Sequence, residues 1–590
     1  MTATKDSKKK KKKSADEAAA PAKEAAAAES PVVPADEHRP TPVPPAVTGR
    51  SAAEHIRMLA DRAESLDTRR RLRAFAGQIA SRPRKGRKLA ALETAAGECL
   101  EQAVEAAGPR DQWLFREAAV WALAWLARSR RAGGSAGAML DRIVGEARTA
   151  IVLLEARDTL PAGFVLSVAR LFCDINACRD LEPDAASALR EEIGRLVSES
   201  GSVALSGSAV VIDRICRWAL CREIGQATGR LPWDDATESR FVASLSTGLR
   251  LLGGRARLPV AAGSLKEDTT APLVDAARRA AGCRRLRKTA KVMASSGSKR
   301  RSAATETGLI TRDHDDPSAA VAILRSGFGP GSLRVRIEYR EAVPRIEIAV
   351  GDRLLVEGPW RWSLARDGGA IPVEGPWTSS CLESGRKATF FEITAPLADG
   401  LQIERSVTIL ARDQVVVLAD AIVRRSGEHE TGRLRFSATV PVAEGLEVEP
   451  AEETSEAFLY DSSMRCLVMP LGLPEWRSAG RGRFEKIPEG LHLEQEGHGR
   501  LFAPVWLDCD PRRIGGQLTW RQLTVADTRV NLPPSMAAGY RVQVGLDQWL
   551  LYRTLDEARN RTLLGCNVSC EFVVGRIDRA GVVRRAIEIA

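Results

Sequence analysis

The chain has 590 residues, 44% of them apolar and 28% charged, and carries a net charge of +11 at neutral pH. That length exceeds what one hydrophobic core organises, so at least two domains are expected. The longest uncharged apolar run, residues 118–127, falls far short of the ~20 residues of a membrane-spanning helix, so no span is expected. The 11 cysteines include no C-x-x-C pair and are odd in number, which points to free thiols in a reducing, cytoplasmic compartment.

Residues 1–50 are rich in Lys, Ala, Glu and Pro, with ten Lys/Arg against seven Asp/Glu. With few large apolar side chains they cannot offset the entropy of ordering, and a disordered tail is expected. The lysines near the start are followed by no apolar stretch, so no secretory signal is expected. The run Lys8 to Lys13 attracts polyanions by counterion release, and it equally suits a solvated tail.

Over residues 51–283 apolar side chains recur at three and four, as in Leu114, Ala118, Trp121 and Trp125, or Ile212, Ile215, Leu220 and Ile224. Breaks at Pro83, Gly108-Pro109, Gly133-Gly134, Pro161, Pro183 and Pro232 predict about ten helices packed as antiparallel pairs, an α/α solenoid or incomplete toroid. Residues 284–318 read as a flexible linker whose first part, Arg284 to Arg301, holds eight basic residues and no acid. From residue 319 the period is two: Leu333, Val335, Ile337 and Tyr339 alternate with Arg334, Arg336, Glu338 and Arg340. Similar runs continue to residue 590, predicting a large antiparallel β-sandwich and an α+β multidomain chain.

No phosphate-binding loop, nucleophile elbow or H-E-x-x-H occurs, and no cofactor is expected. Asp313-His314-Asp315-Asp316 reads as a solvated turn or a weak cation site. His492 and Glu494 share a strand face with His498 in the next turn, a candidate metal pair without an obvious third ligand. Trp360 and Trp362 flank Arg361 on one face of an extended segment, and Trp377 follows. Indoles stack on sugar rings and arginines clamp carboxylate or sulfate, but such tryptophans also build sandwich cores.

Ala320 to Gly327, Ile403 to Leu410, Val415 to Asp420 and the closing run from Trp549 with Gly575-Arg576-Ile577-Asp578 resemble strands of the heparinase II/III-like polysaccharide lyases. The resemblance implies an (α/α) toroid before a β-sandwich, with an active site in the cleft between them. It implies catalysis by neutralising a uronic carboxylate, removing the C5 proton and protonating the leaving oxygen, usually from tyrosine. The family's histidines after the first sandwich strand have no counterpart in Tyr339 to Glu347, and the helical domain has no tyrosine and one histidine, His55. Three functions follow. One is a catalytically degenerate relative that binds an acidic glycan or other anion through Arg340, Arg345, Trp360, Arg361, Trp362 and Trp377. The second is an intracellular scaffold whose basic tail and linker engage nucleic acid or another polyanion. The third is an active lyase with Tyr339 as acid and Arg340 as carboxylate clamp.

Overall fold

The computed structural model describes residues 46–81, 87–128, 135–261, 270–295, 308–425, 432–477 and 482–590. The expected tail is outside these residues up to position 45, as are His38, His429 and the basic cluster at 299–301.

Twelve α-helices precede the strands among the described residues: α1 (Gly49–Ala60), α2 (Leu66–Ala80), α3 (Arg87–Glu105), α4 (Pro109–Arg128), α5 (Ala136–Glu155), α6 (Ala162–Leu171), α7 (Asn176–Arg179), α8 (Glu182–Leu196), α9 (Ser208–Ala227), α10 (Asp235–Leu251), α11 (Ala271–Arg279) and α12 (Arg284–Ala294). Helices α1, α4, α6, α9 and α11 pack in succession as an inner row. Helices α2, α3, α8, α10 and α12 back them from outside, the two-layer arrangement of an incomplete (α/α) toroid. The inner position of α4 follows from its sequence, in which residues 118–126 are all apolar and all buried. Pro109 starts this helix instead of breaking one, where a missing N–H costs nothing.

The expected linker is corrected by α12. Leu286, Ala290 and Met293 recur at helical spacing and are buried, leaving Arg284, Arg285, Lys288 and Lys291 on the outer face. The run is therefore an amphipathic helix whose charge masks a narrow apolar stripe. Residues 314–316 of the same stretch form a strand.

The first sheet is a meander, β1 (His314–Asp316), β2 (Val321–Arg325), β3 (Leu333–Glu338), β4 (Arg345–Val350) and β5 (Arg353–Pro359). A central eight-stranded antiparallel sheet follows, with core on both faces. In its strand Val415–Arg424, Val416, Leu418 and Ile422 enter one core while Val415, Val417, Ala419 and Ala421 enter the other. Burial on both sides explains a near-continuous apolar run where a one-faced sandwich strand would alternate.

Two helix ends join the halves. At the start of α9, Gly207 N donates to Glu338 Oε1 at 2.9 Å and Ser208 N to Glu347 Oε1 at 2.8 Å, so carboxylates from β3 and β4 meet its positive end. At the end of α10, Arg325 donates to the carbonyls of Arg250 and Leu252 and Arg334 to that of Leu251, so cations meet the negative end. Arg336 completes the junction, donating to Leu205 O at 2.7 Å and pairing with Glu338 at 2.5 Å. Gly253 lies so close to the β4–β5 turn that a Cβ there would stand 1.9 Å from Gly351 O.

Candidate anion-binding site

The residues expected to carry chemistry in the β half do not converge. Tyr339 is buried and its hydroxyl donates to Asp315 Oδ1 at 2.8 Å, an oxygen pair that also accepts from Ser379 at 2.5 Å. Burial and this carboxylate push the phenol well above its ordinary range. Arg340 is exposed and donates to Ser318 O at 3.2 Å, while Arg345 is half-buried at the start of β4.

Trp360 is 2% exposed, with the Arg405 guanidinium 3.8 Å above its ring. Arg405 in turn pairs with Asp420, its register partner, at 2.6 Å. The resembling strand segments thus supply a buried ion pair under an indole, which is packing. Trp377 is buried, donates Nε1–H to Ala342 O at 3.0 Å and meets the half-buried Trp362 edge-on at 6.1 Å. Only Arg361 of this group is exposed.

His492 Nδ1 lies 3.2 Å from Thr439 Oγ1, and Glu494 accepts from Arg483 at 2.9 Å, so both partners of the candidate metal pair are engaged. No group of three metal-ligating side chains occurs among the described residues. The Asp-His-Asp-Asp stretch is not a solvated turn. Asp316 accepts from Ser198, Ser200 and Ser318, Asp313 from Thr389 at 2.8 Å, and His314 Nε2 lies 2.9 Å from Ser202 Oγ. Burial lowers the His314 imidazole to about 4, so it is neutral at physiological pH.

A convergence that sequence reading missed lies in the helical half, on the part of α9 near the β junction. Helix α9 carries Asp213, Arg214, Arg217 and Trp218, α4 carries Arg110 in its first turn, and Arg62 follows α1. Asp213 accepts from Arg62, and its Oδ2 lies 3.1 Å from Arg110 and 3.3 Å from Arg217. Arg214 pairs with Glu192 of α8, which also accepts from Thr159 at 2.6 Å and Trp218 Nε1 at 2.7 Å. Four guanidiniums thus face two buried or half-buried carboxylates, with Glu64 at the rim 3.4 Å from Arg110.

The side chains of Arg110, Arg214 and Arg217 are 28%, 22% and 18% exposed, so solvent reaches them, whereas Arg62 beneath is 3% exposed. Burial chiefly, and then repulsion from Arg217, lowers Arg214 to about 10. Burial likewise brings Arg217 to about 10, against the pull of Asp213. A cavity of about 40 Å³ lies below, between Trp113, Trp218, Glu117 and Cys221. A wider hollow of about 220 Å³ shares Thr159 and Glu192 with it and adds Arg157 and Arg195.

The floor is rigid. Glu117 accepts from His55 Nε2 at 2.7 Å, the imidazole stacks on Trp121 at 4.1 Å, and Trp121 Nε1 donates to Ser167 at 3.1 Å. Gly163 is required here, since a Cβ would stand 2.7 Å from Glu117 Oε2. The helical half's one histidine is therefore spent on a core carboxylate, and neither histidine nor tyrosine lines the cavity. What the site can do chemically is hold an anion: guanidiniums with partial solvent access bind carboxylate or sulfate through paired N–H donors.

No family model matches the chain, and no curated protein sequence matches it. Solved structures do. The heparan sulfate lyase HepC from Pedobacter heparinus aligns over 89% of this chain and 92% of its own with a TM-score of 0.50 at 11% identity. A mutant of that lyase aligns over 84% and 85% with a TM-score of 0.51 at 11% identity. A heparinase III with methylated lysines aligns over 86% and 82% with a TM-score of 0.51 at 10% identity. The chain has the fold of the heparinase-type lyases, a helical domain followed by stacked antiparallel sheets.

Proposed function

We propose that this protein is a catalytically degenerate member of the lyase fold that binds an acidic glycan or a related anion at the arginines that follow α1 and lie in the first turn of α4 and the first half of α9. The observation that carries this reading is that Arg110 and Arg217, each partly open to solvent, line one cavity, with the partly open Arg214 beside them on the lining residue Glu192. Eliminating across a uronic acid needs a carboxylate clamp, a base and an acid. The arginines supply the clamp. The lining carboxylates that could act as base are engaged, Glu117 by His55 and Glu192 by Arg214, Thr159 and Trp218. No histidine or tyrosine lines the cavity as acid, and the Tyr339 hydroxyl donates to Asp315. The ligand class fits the names of the solved neighbours, which act on heparan sulfate.

The test is titration calorimetry with heparan sulfate oligosaccharides, alongside absorbance of unsaturated uronic products. Binding that weakens with salt and in Arg214→Gln or Arg217→Gln, without absorbance growth, is expected. Turnover abolished by Tyr339→Phe would instead establish an active lyase with Tyr339 and Arg340 in the roles the resemblance suggests.

A second reading is favoured by α12, whose outer face presents Arg284, Arg285, Lys288 and Lys291 with no acid between them. That face suits a polyanion such as nucleic acid. Replacing the four residues by serine should then remove binding and flatten its steep salt dependence, while leaving the oligosaccharide affinity unchanged.

A further inference from the structure

We propose that Cys466 and Cys509 form a redox-convertible pair that closes to a cross-strand disulfide on two-electron oxidation. Cys466 lies in the strand Met464–Pro470, which pairs antiparallel with Leu501–Asp508, and Leu467 stands opposite Asp508. One further step along the register sets Cys466 opposite Cys509. The two sulfurs are 3.7 Å apart, with the Cys509 thiol donating to Cys466 Sγ, although 43 positions separate them in the chain. Both side chains enter the same core, as opposite residues of one sheet face must, and the residues are 0% and 2% exposed.

Directly opposite residues in an antiparallel pair have Cα atoms about 4.5–5.5 Å apart, inside the span of about 4.4–6.8 Å that a disulfide bridges. Closing the sulfurs from van der Waals contact to the bonded distance of about 2.05 Å is then within reach of side-chain rotation and a small strand adjustment. The neighbours favour the thiols over the thiolates: burial, then the Cys509 thiol and Asp508, hold Cys466 well above the usual thiol range. The pair is therefore stable as two thiols in a reducing medium and slow to react.

The oxidant class is a peroxide, small enough to enter a core during local opening. With hydrogen peroxide, one thiol loses its proton and its sulfur attacks the O–O bond, giving a sulfenic acid and one water. The second sulfur then displaces the hydroxyl, which leaves as a second water with the second thiol's proton. Two thiols and one peroxide become one disulfide and two waters. The sulfurs lose two electrons and the peroxide oxygens gain them. The bond would tie the strand Met464–Pro470 to the end of Leu501–Asp508 and close a long chain loop, which disfavours the unfolded state.

The experiment uses the full chain. Protein held in hydrogen peroxide is denatured, alkylated and peptide-mapped, and its Tm is read before and after dithiothreitol. The expected result is one linked peptide pair carrying Cys466 and Cys509, a Tm raised by several degrees, and reversal of both by the reductant. Cys466→Ala and Cys509→Ala should each abolish the linkage. Because slow access could hide the bond in the folded protein, a second arm unfolds the chain in urea and refolds it in an oxidising glutathione buffer. Linkage of the pair in either arm supports the proposal. Recovery of both as free thiols in both arms overturns it, as does a disulfide between other cysteines in their place.

Discussion

Two groups of arginines, alike in composition, sit in opposite settings. At the junction, Arg325, Arg334 and Arg336 rise from strands and are 1–2% exposed; Arg325 and Arg334 donate to carbonyls at the end of α10, Arg336 donates to Leu205 O before α9, and Arg334 and Arg336 meet Glu347 or Glu338. In the helical half, Arg110 in the first turn of α4 and Arg214 and Arg217 within α9 meet carboxylates on one side and solvent on the other. The difference teaches that a guanidinium is glue where its second face is closed and is left able to take a ligand where that face is open; under the proposed function the second group is the receptor. Closing it on a helix C-terminus makes a joint, because the carbonyls there lack intrahelical partners.

The largest effect should come from the joint. Glu347→Ala leaves Arg334, Arg336 and the Ser208 amide without their buried carboxylate and should cost about 3–5 kcal/mol in urea denaturation. A loss below about 1 kcal/mol would remove the distinction between the two groups, since surface pairs contribute that little.

A third arginine tests the intermediate case. Arg553 is shared by Glu392 at 3.2 Å and Glu404, and burial raises Glu392 to about 7 despite that cation. With a folded pKa above the unfolded one, this group's stability is fully present below about 4.5 and is lost as pH rises through about 7, by on the order of a few kcal/mol. Thermal melts between pH 4 and 8 should show that slope in the wild type, and Glu392→Gln should flatten it and melt higher at pH 8. A variant with the same slope as wild type would assign the titration elsewhere.

The receptor group should respond in affinity and not in stability. Arg217→Gln should weaken heparan sulfate oligosaccharide binding about tenfold, or ~1.4 kcal/mol, with Tm nearly unchanged. If Tm falls steeply while affinity holds, these arginines are glue as well. The smallest effect belongs to Arg361, exposed beside the buried Trp360: Arg361→Ala should alter stability by less than about 0.5 kcal/mol and leave affinity as it was.

Much of the fold was legible because periodicity reports burial. The change from period 3.6 to period 2 separated the helical and β halves, and the uniformly apolar stretch at 118–126 marked an inner helix. Legibility failed where partners are remote. Leu286, Ala290 and Met293 were hidden among eight positive charges, and a linker was expected where α12 packs. Asp315 and Asp316 invited a turn, yet the hydroxyls that satisfy Asp316 come from residues 116 and 118 positions away as well as from Ser318. Trp360 is core and Trp362 packs half-buried against the same core, a point which Arg405 and Asp420 under the Trp360 indole show and local pattern does not. The candidate site was illegible for the same reason. Arg62, Arg110 and Arg217 look like ordinary helix-surface charges until the inner row brings them around Asp213.

The carboxylates over the start of α9 also set a clock. Ser208 and Glu347 are 139 positions apart, so a ribosome adding about 5–20 residues per second delivers the cap on the order of ten seconds after the helix it closes. Through that interval the newborn helical array has an unfinished edge at α9, and the same helix carries Asp213, Arg214 and Arg217. A nascent chain stalled before residue 347 should therefore be cut by protease in α9 and lack the receptor, and should gain both protection and ligand binding only once β4 has emerged.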